Sequence, residues 1–126
     1  VKWSLFPMGG STVRLPRQIP YCHAMEILLT GEQLSAEHAL RIGLINKVVP
    51  VGDLMAEAQR YADIISSNGP LAVQGVKRSV VTGLGLSVKE ALEKEMEIGI
   101  PVSMSEDCRE GTKAFKEKRT PVFKGR

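Results

Sequence analysis

Apolar residues recur at three- and four-residue intervals along most of the chain, a pattern that predicts helices almost throughout. After the Gly9-Gly10 pair, Ser11 or Thr12 is placed to cap a short helix running to Leu15, where Pro16 interrupts it. Pro20 opens a second helix with Tyr21, Met25, Leu28 and Leu29 on one face and Gly31 at its C-terminal stop. Ser35 caps a third, from Ala36 to Ile42, which Gly43 ends. The β-branched run from Leu44 to Pro50 reads as a short strand or an extended link closed by proline.

Beyond Pro50 the pattern predicts four helices joined by short loops. Val51, Leu54, Ala58, Tyr61, Ala62 and Ile65 keep the helical interval until Asn68-Gly69. Pro70 starts the next helix, with Val73, Val76 and Val80 to bury. Ser87 and Glu90 form a capping box for a helix through about Ile98, and Ser105 followed by Glu106 and Asp107 places acids at the positive end of the last helix. The change from glycine-rich, mixed structure to plain helices divides the chain into residues 1–50 and 51–126. The expected class is mainly α.

Composition sharpens this picture. With 126 residues and 43% hydrophobic content the chain has the size of one domain, and 5% aromatics with five methionines favour packed helices over a sandwich. No apolar run approaches the roughly 18 residues of a membrane span. Cys22 and Cys108 fall in different helices without metal-ligand spacing, as expected of reduced packing residues in the cytoplasm or an organelle matrix. Charge is uneven: residues 105–126 hold 7 Lys and Arg against 4 Asp and Glu, while the preceding 104 balance at 10 each. The net +3 therefore sits at the end of the chain, which suggests an anionic partner or simply a solvated helix face. Without an aromatic stacking series it does not suggest nucleic acid.

Few residues carry chemistry by themselves. His23 shares a helix face with Glu26, and Glu93 with Glu97, but neither pair has the further ligands that a metal site needs. No serine or cysteine is placed beside His23 or His38 as a nucleophile, and no catalytic residue is assigned. Gly9-Gly10 before a helix start can present N–H groups to an anion or a carbonyl oxygen; a tight turn into the helix explains the same pair.

Five segments, taken together, carry a resemblance. Residues 5–17 (LFPMGGSTVRLPR), 24–31 (AMEILLTG), 35–50 (SAEHALRIGLINKVVP), Pro70-Leu71-Ala72 with Lys77, and 107–121 (DCREGTKAFKEKRTP) follow one another as in the second half of the enoyl-CoA hydratase/isomerase (crotonase) family. The resemblance spans essentially the whole chain. It implies the end of a spiral of β-β-α units followed by helices that build a trimer, often paired into a hexamer. It also implies an acyl-CoA thioester as substrate, with CoA entering as part of the substrate and no other cofactor. The family's oxyanion-hole donors and its two glutamates would lie N-terminal to Val1, in a half that this chain, as a C-terminal fragment, lacks. The intact protein would hydrate a 2-enoyl-CoA, and the fragment alone would be inactive.

Within the chain, the resemblance places Trp3, Leu5 and Phe6 near the acyl pocket, where ordinary core packing would account for them equally, and makes Met8 and Gly9 substrate-binding candidates in the turn where the hydratase pattern has, at the position of Met8, a glycine whose N–H helps hold water. It matches Phe115 and Lys118 to a phenylalanine and a lysine that reach the adenosine end of CoA. An aromatic face suits adenine and an ammonium suits phosphate; a core phenylalanine beside a solvated lysine has the same spacing. Isomerisation or another crotonase chemistry, and a non-catalytic helical interaction module, remain alternatives.

Overall fold

The computed structural model describes residues 1–126 and contains no strand. Seven α-helices follow in order: α1 (Ser11–Gln18), α2 (Tyr21–Thr30), α3 (Ala36–Arg41), α4 (Leu54–Ser67), α5 (Pro70–Gly83), α6 (Val88–Ser103) and α7 (Glu106–Glu117), with a 3-10 turn at Val51–Asp53. The chain divides into two compact units, Val1–Leu54 and Met55–Arg126.

In the first unit α1 packs on α2 around buried Ile19, Ala24 and Ile42, with Leu15, Ile27, Leu34 and Leu44 against them. The face of α2 that meets this core is therefore Ala24–Ile27, and the expected stripe is corrected, because Tyr21 and Leu29 face solvent. Ser35 caps α3 by accepting the His38 N–H at 3.1 Å. Gly31 ends α2 in the left-handed region at φ 62°. The run from Leu44 to Pro50 forms no strand: residues 44–46 bend away from α3, with the Leu44 N–H on the Ala39 carbonyl at 2.9 Å, and residues 47–50 are irregular.

Pro16 does not end α1, which continues to Gln18 with Gly10 as its N-cap, in place of Ser11 or Thr12. Proline removes a single ladder bond near the end of a short helix, and neighbouring bonds persist: the Ile19 N–H reaches the Leu15 carbonyl at 3.2 Å and the Arg17 guanidinium reaches that of Val13 at 2.6 Å. The same reasoning corrects the end of α6, which carries Pro101 inside it and runs to Ser103, beyond Ile98.

In the second unit α5 and α6 form an antiparallel hairpin. Gly75 lets the backbones approach, since a Cβ there would meet the Val102 side chain at 3.2 Å; one on Gly83 would make ordinary contact with Ala91 at 3.6 Å. The capping box at Ser87 forms as the sequence predicts, with the Glu90 carboxylate accepting the Ser87 hydroxyl at 2.6 Å and the Ser87 N–H at 3.0 Å; the hydroxyl, and after it the N–H, hold the Glu90 carboxyl below its ordinary range. Burial departs from expectation. None of α4, α5 and α6 has a buried residue, and Val76 and Val80 are exposed.

After α7, residues 120–126 fold back along it. The Phe123 ring lies over Gly111 of α7 and Gly69 at the start of α5, where a Cβ on either would come within 3.6 to 3.7 Å of the ring.

Candidate functional site

The residues singled out by the sequence fall into two patches, one in each unit. The first is the irregular stretch ahead of α1. Trp3 is 86% exposed, Met8 80% and Phe6 71%, so none of the three is a core filler in this chain. The stretch is held by local turns, with the Ser4 N–H on the Val1 carbonyl at 2.9 Å and the Met8 N–H on that of Phe6 at 2.8 Å.

Gly9 and Gly10 both occupy the left-handed region, at φ 85° and 98°, where other residues are strained. The Arg14 guanidinium closes over this turn: it donates to the Gly9 carbonyl at 2.5 Å, and a Cβ on Gly10 would meet its Nε at 2.7 Å. A tight turn thus accounts for both glycines. Gly9 lines a cleft of about 530 Å³ between α1 and α2 together with Pro7, Gly10, Arg14 and Ile27, and Trp3, Phe6 and Met8 are not among its walls. The carboxylate at this cleft is Glu32, paired with Lys2 at 3.7 Å.

The second patch is the end of α7. Phe115 is 86% exposed, and Lys118 follows as the C-terminal cap. Lys118 has φ 54°, and its N–H bonds the Phe115 carbonyl at 3.3 Å while the Arg119 N–H bonds that of Ala114 at 3.1 Å. These two bonds make a Schellman terminus, in which the left-handed position usually belongs to glycine. Lysine there costs about 1 kcal/mol or more.

Carboxylates of α7 hold this terminus and the returning tail. Glu110 takes Arg119 as a two-pronged pair, Nη1 to Oε1 at 2.5 Å and Nη2 to Oε2 at 2.9 Å, and accepts the Val122 N–H at 3.0 Å. The Arg119 guanidinium, and after it the Val122 N–H, pull the Glu110 carboxyl down to about 2, and Glu110 in turn raises Arg119 above its ordinary value. Glu117 adds a third prong to Arg119 at 2.7 Å.

Asp107, only 5% exposed, accepts the N–H groups of Lys124 at 2.6 Å and Gly125 at 2.8 Å, while its own N–H donates to the Arg126 carbonyl at 3.0 Å. Sequence reasoning read Asp107 only as a charge at a helix start and assigned no role to Glu110 or Arg119. The available signal was the face formed by Asp107, Glu110, Gly111 and Ala114. Acids and small residues at three- and four-residue intervals leave room and acceptors for a docking strand of backbone.

Replacing Asp107 by asparagine keeps the shape and removes the charge shared by two amides. Hydrogen bonds to a buried charge contribute about 1.5–3 kcal/mol each, of which water recovers part when the tail opens. The expected loss is about 2 kcal/mol, which is roughly a 30-fold faster amide hydrogen exchange at Lys124 and Gly125. Unchanged exchange at both amides would mean that the tail is held by other contacts.

Elsewhere the titratable groups do not converge. The His23 and His38 rings meet edge-on at 6.1 Å, and His23 lies 3.7 Å from Glu26, but no three His, Cys, Asp or Glu side chains are grouped to hold a metal. No helix is long and apolar enough to cross a membrane.

Comparison with known proteins matches the whole of residues 1–126 to the enoyl-CoA hydratase/isomerase family. An enoyl-CoA hydratase of Mycobacterium tuberculosis is 50% identical over 125 residues, covering 99% of this chain and 47% of that protein. The (E)-benzylidenesuccinyl-CoA hydratase of Thauera aromatica is 42% identical over 122 residues, covering 97% and 47%. Among solved structures, an enoyl-CoA hydratase from Mycobacterium tuberculosis superposes with a TM-score of 0.95 at 41% identity, covering 99% of this chain and 50% of the other. The chain spans about half the length of the relatives it matches.

Proposed function

The chain belongs to the enoyl-CoA hydratase/isomerase family, and from that premise we propose that it is the C-terminal part of an enzyme that adds water across the double bond of a 2-enoyl-CoA. The observation that carries this reading is the 50% identity, along nearly the entire chain, to a relative named as an enoyl-CoA hydratase. In this reading the helices from α4 onward serve assembly into a trimer, or a hexamer of two trimers. Phe115 and Lys118 serve the adenosine end of CoA, and Trp3, Phe6, Met8 and Gly9 border the acyl pocket. The thioester oxygen and the reacting water would be held by groups outside residues 1–126.

Met8 favours a second reading. A bulky thioether where the hydratase pattern has glycine removes a close backbone approach to water, which suits a shift of the double bond better than hydration. The test is to give the full-length protein crotonyl-CoA and a 3-enoyl-CoA in parallel. Formation of the 3-hydroxyacyl-CoA supports hydration, formation of the 2-enoyl-CoA alone supports isomerisation, and turnover of neither overturns both.

The residue-level expectation concerns Lys118. In the full-length protein Lys118→Ala should raise KM for the acyl-CoA and leave kcat nearly unchanged, because a cation near a remote phosphate contributes equally to ground and transition states. An exposed charge contact is worth about 0–1 kcal/mol, so the rise reaches about fivefold at most and shrinks as salt is added. Equal KM values at low salt would return this lysine to the solvated face of α7.

A further inference from the structure

Lys118 raises a question that the CoA reading alone does not answer. A helix end of this kind selects glycine, yet the chain keeps lysine at φ 54°. Strain of this type persists only where surrounding contacts over-determine the conformation. Here those contacts are identifiable. The residue immediately after Lys118 is Arg119, whose guanidinium is gripped by both oxygens of Glu110 and by Glu117, and whose N–H is bonded to the Ala114 carbonyl. Glu110 also binds the Val122 N–H, so the backbone is anchored beyond the turn as well as within it.

We infer that Glu110 and Arg119 are positioning residues for acyl-CoA recognition: their two-pronged pair locks the turn at the end of α7 from which Lys118 projects, three residues after Phe115. The inference rests on the reading of Lys118 as a CoA contact and adds what holds it in place. A guanidinium–carboxylate fork fixes direction as well as distance, whereas a single bond would leave the turn free to rotate. Without the fork, the terminus relaxes toward an ordinary helical or frayed end and the Lys118 ammonium is spread over many positions. Ordering it on binding then costs rotamer and backbone freedom that the intact turn has already given up.

The experiment is a double-mutant cycle in the full-length protein, with crotonyl-CoA as substrate and CoA as the equilibrium probe, at low salt. Glu110→Gln should raise KM and weaken CoA binding by a factor no larger than that of Lys118→Ala, up to about fivefold, with kcat unchanged. Adding Glu110→Gln to Lys118→Ala should produce no further change, since the glutamate acts through the lysine. Arg119→Lys, which keeps the charge and one prong, should fall between wild type and Glu110→Gln and serves if the glutamine variant fails to fold. A general structural role would lower kcat and raise KM in both backgrounds alike, and that result overturns the inference. If Lys118→Ala raises KM while neither Glu110→Gln nor Arg119→Lys does, the positioning role fails and the CoA contact stands. If Lys118→Ala itself is silent, the CoA contact fails and the positioning role falls with it.

Discussion

A polypeptide of residues 1–126 alone should not hydrate crotonyl-CoA at a measurable rate. Enoyl-CoA hydration needs donors aimed at the thioester oxygen, where enolate-like charge develops, and an acid and a base on water. Loss of one such donor typically costs about 100- to 1,000-fold, and family resemblance puts both of them outside this chain. The structure offers no replacement. An acid–base catalyst must sit in a cleft with its proton-carrying group free to reach the substrate. Glu90 is engaged in a capping box and Glu110 with Arg119 in an ion pair at the end of α7, and none of them lines the cleft beside Gly9. The carboxylate that does line it, Glu32, is exposed and paired with Lys2. Steady-state assay of material shown by intact mass to contain only these residues checks the expectation, and any turnover above the uncatalysed rate defeats it.

The second large effect is on assembly. The same polypeptide should not persist as a compact monomer at micromolar concentration; it should self-associate, most readily as a trimer, or bind the remainder of the longer protein. The reason lies in α4, α5 and α6, three helices whose apolar stripes face solvent at Met55, Ile64, Val76, Val80, Leu92 and Met96 among others. Exposed apolar patches beyond a few hundred Å² are rare on stable monomers. Covering one such side chain fully contributes about 1.5–3 kcal/mol, so a handful of them, less the cost of association, reaches the roughly 8 kcal/mol of micromolar affinity. Sedimentation velocity across a concentration series distinguishes the outcomes. A single compact species of monomer mass throughout would refute the assembly role proposed for these helices.

Several features of the chain were legible because they depend on neighbours a few residues away. Ser35, Ser87 with Glu90, and Ser105 all cap the helices that the sequence predicts for them, since a hydroxyl three residues before an unpaired N–H meets it in any fold. Helical class and element order follow from the same local periodicity. The prolines show the limit of local rules: Pro16 is expected to interrupt α1 and α6 to run only to about Ile98, yet Pro16 and Pro101 each lie inside a helix close to its end, where the loss of one bond is offset by those beside it. Family resemblance supplied Phe115 and Lys118 as a pair; it gave no indication that Lys118 sits in a left-handed turn.

What the sequence by itself determined, then, was the helices, most of their caps and the family, because each is written within a few residues or in the order of short segments. Tertiary structure alone decided which apolar stripes are covered and what holds the end of α7. Val76 and Val80 have the spacing of core residues, but burial is set by what packs against a face, and nothing in these 126 residues covers theirs. The clasp joins Glu110 to Arg119, 9 residues on, and Asp107 to Gly125, 18 residues on. Bonds over such separations form only once the tail has folded back on its helix, and no periodicity records them.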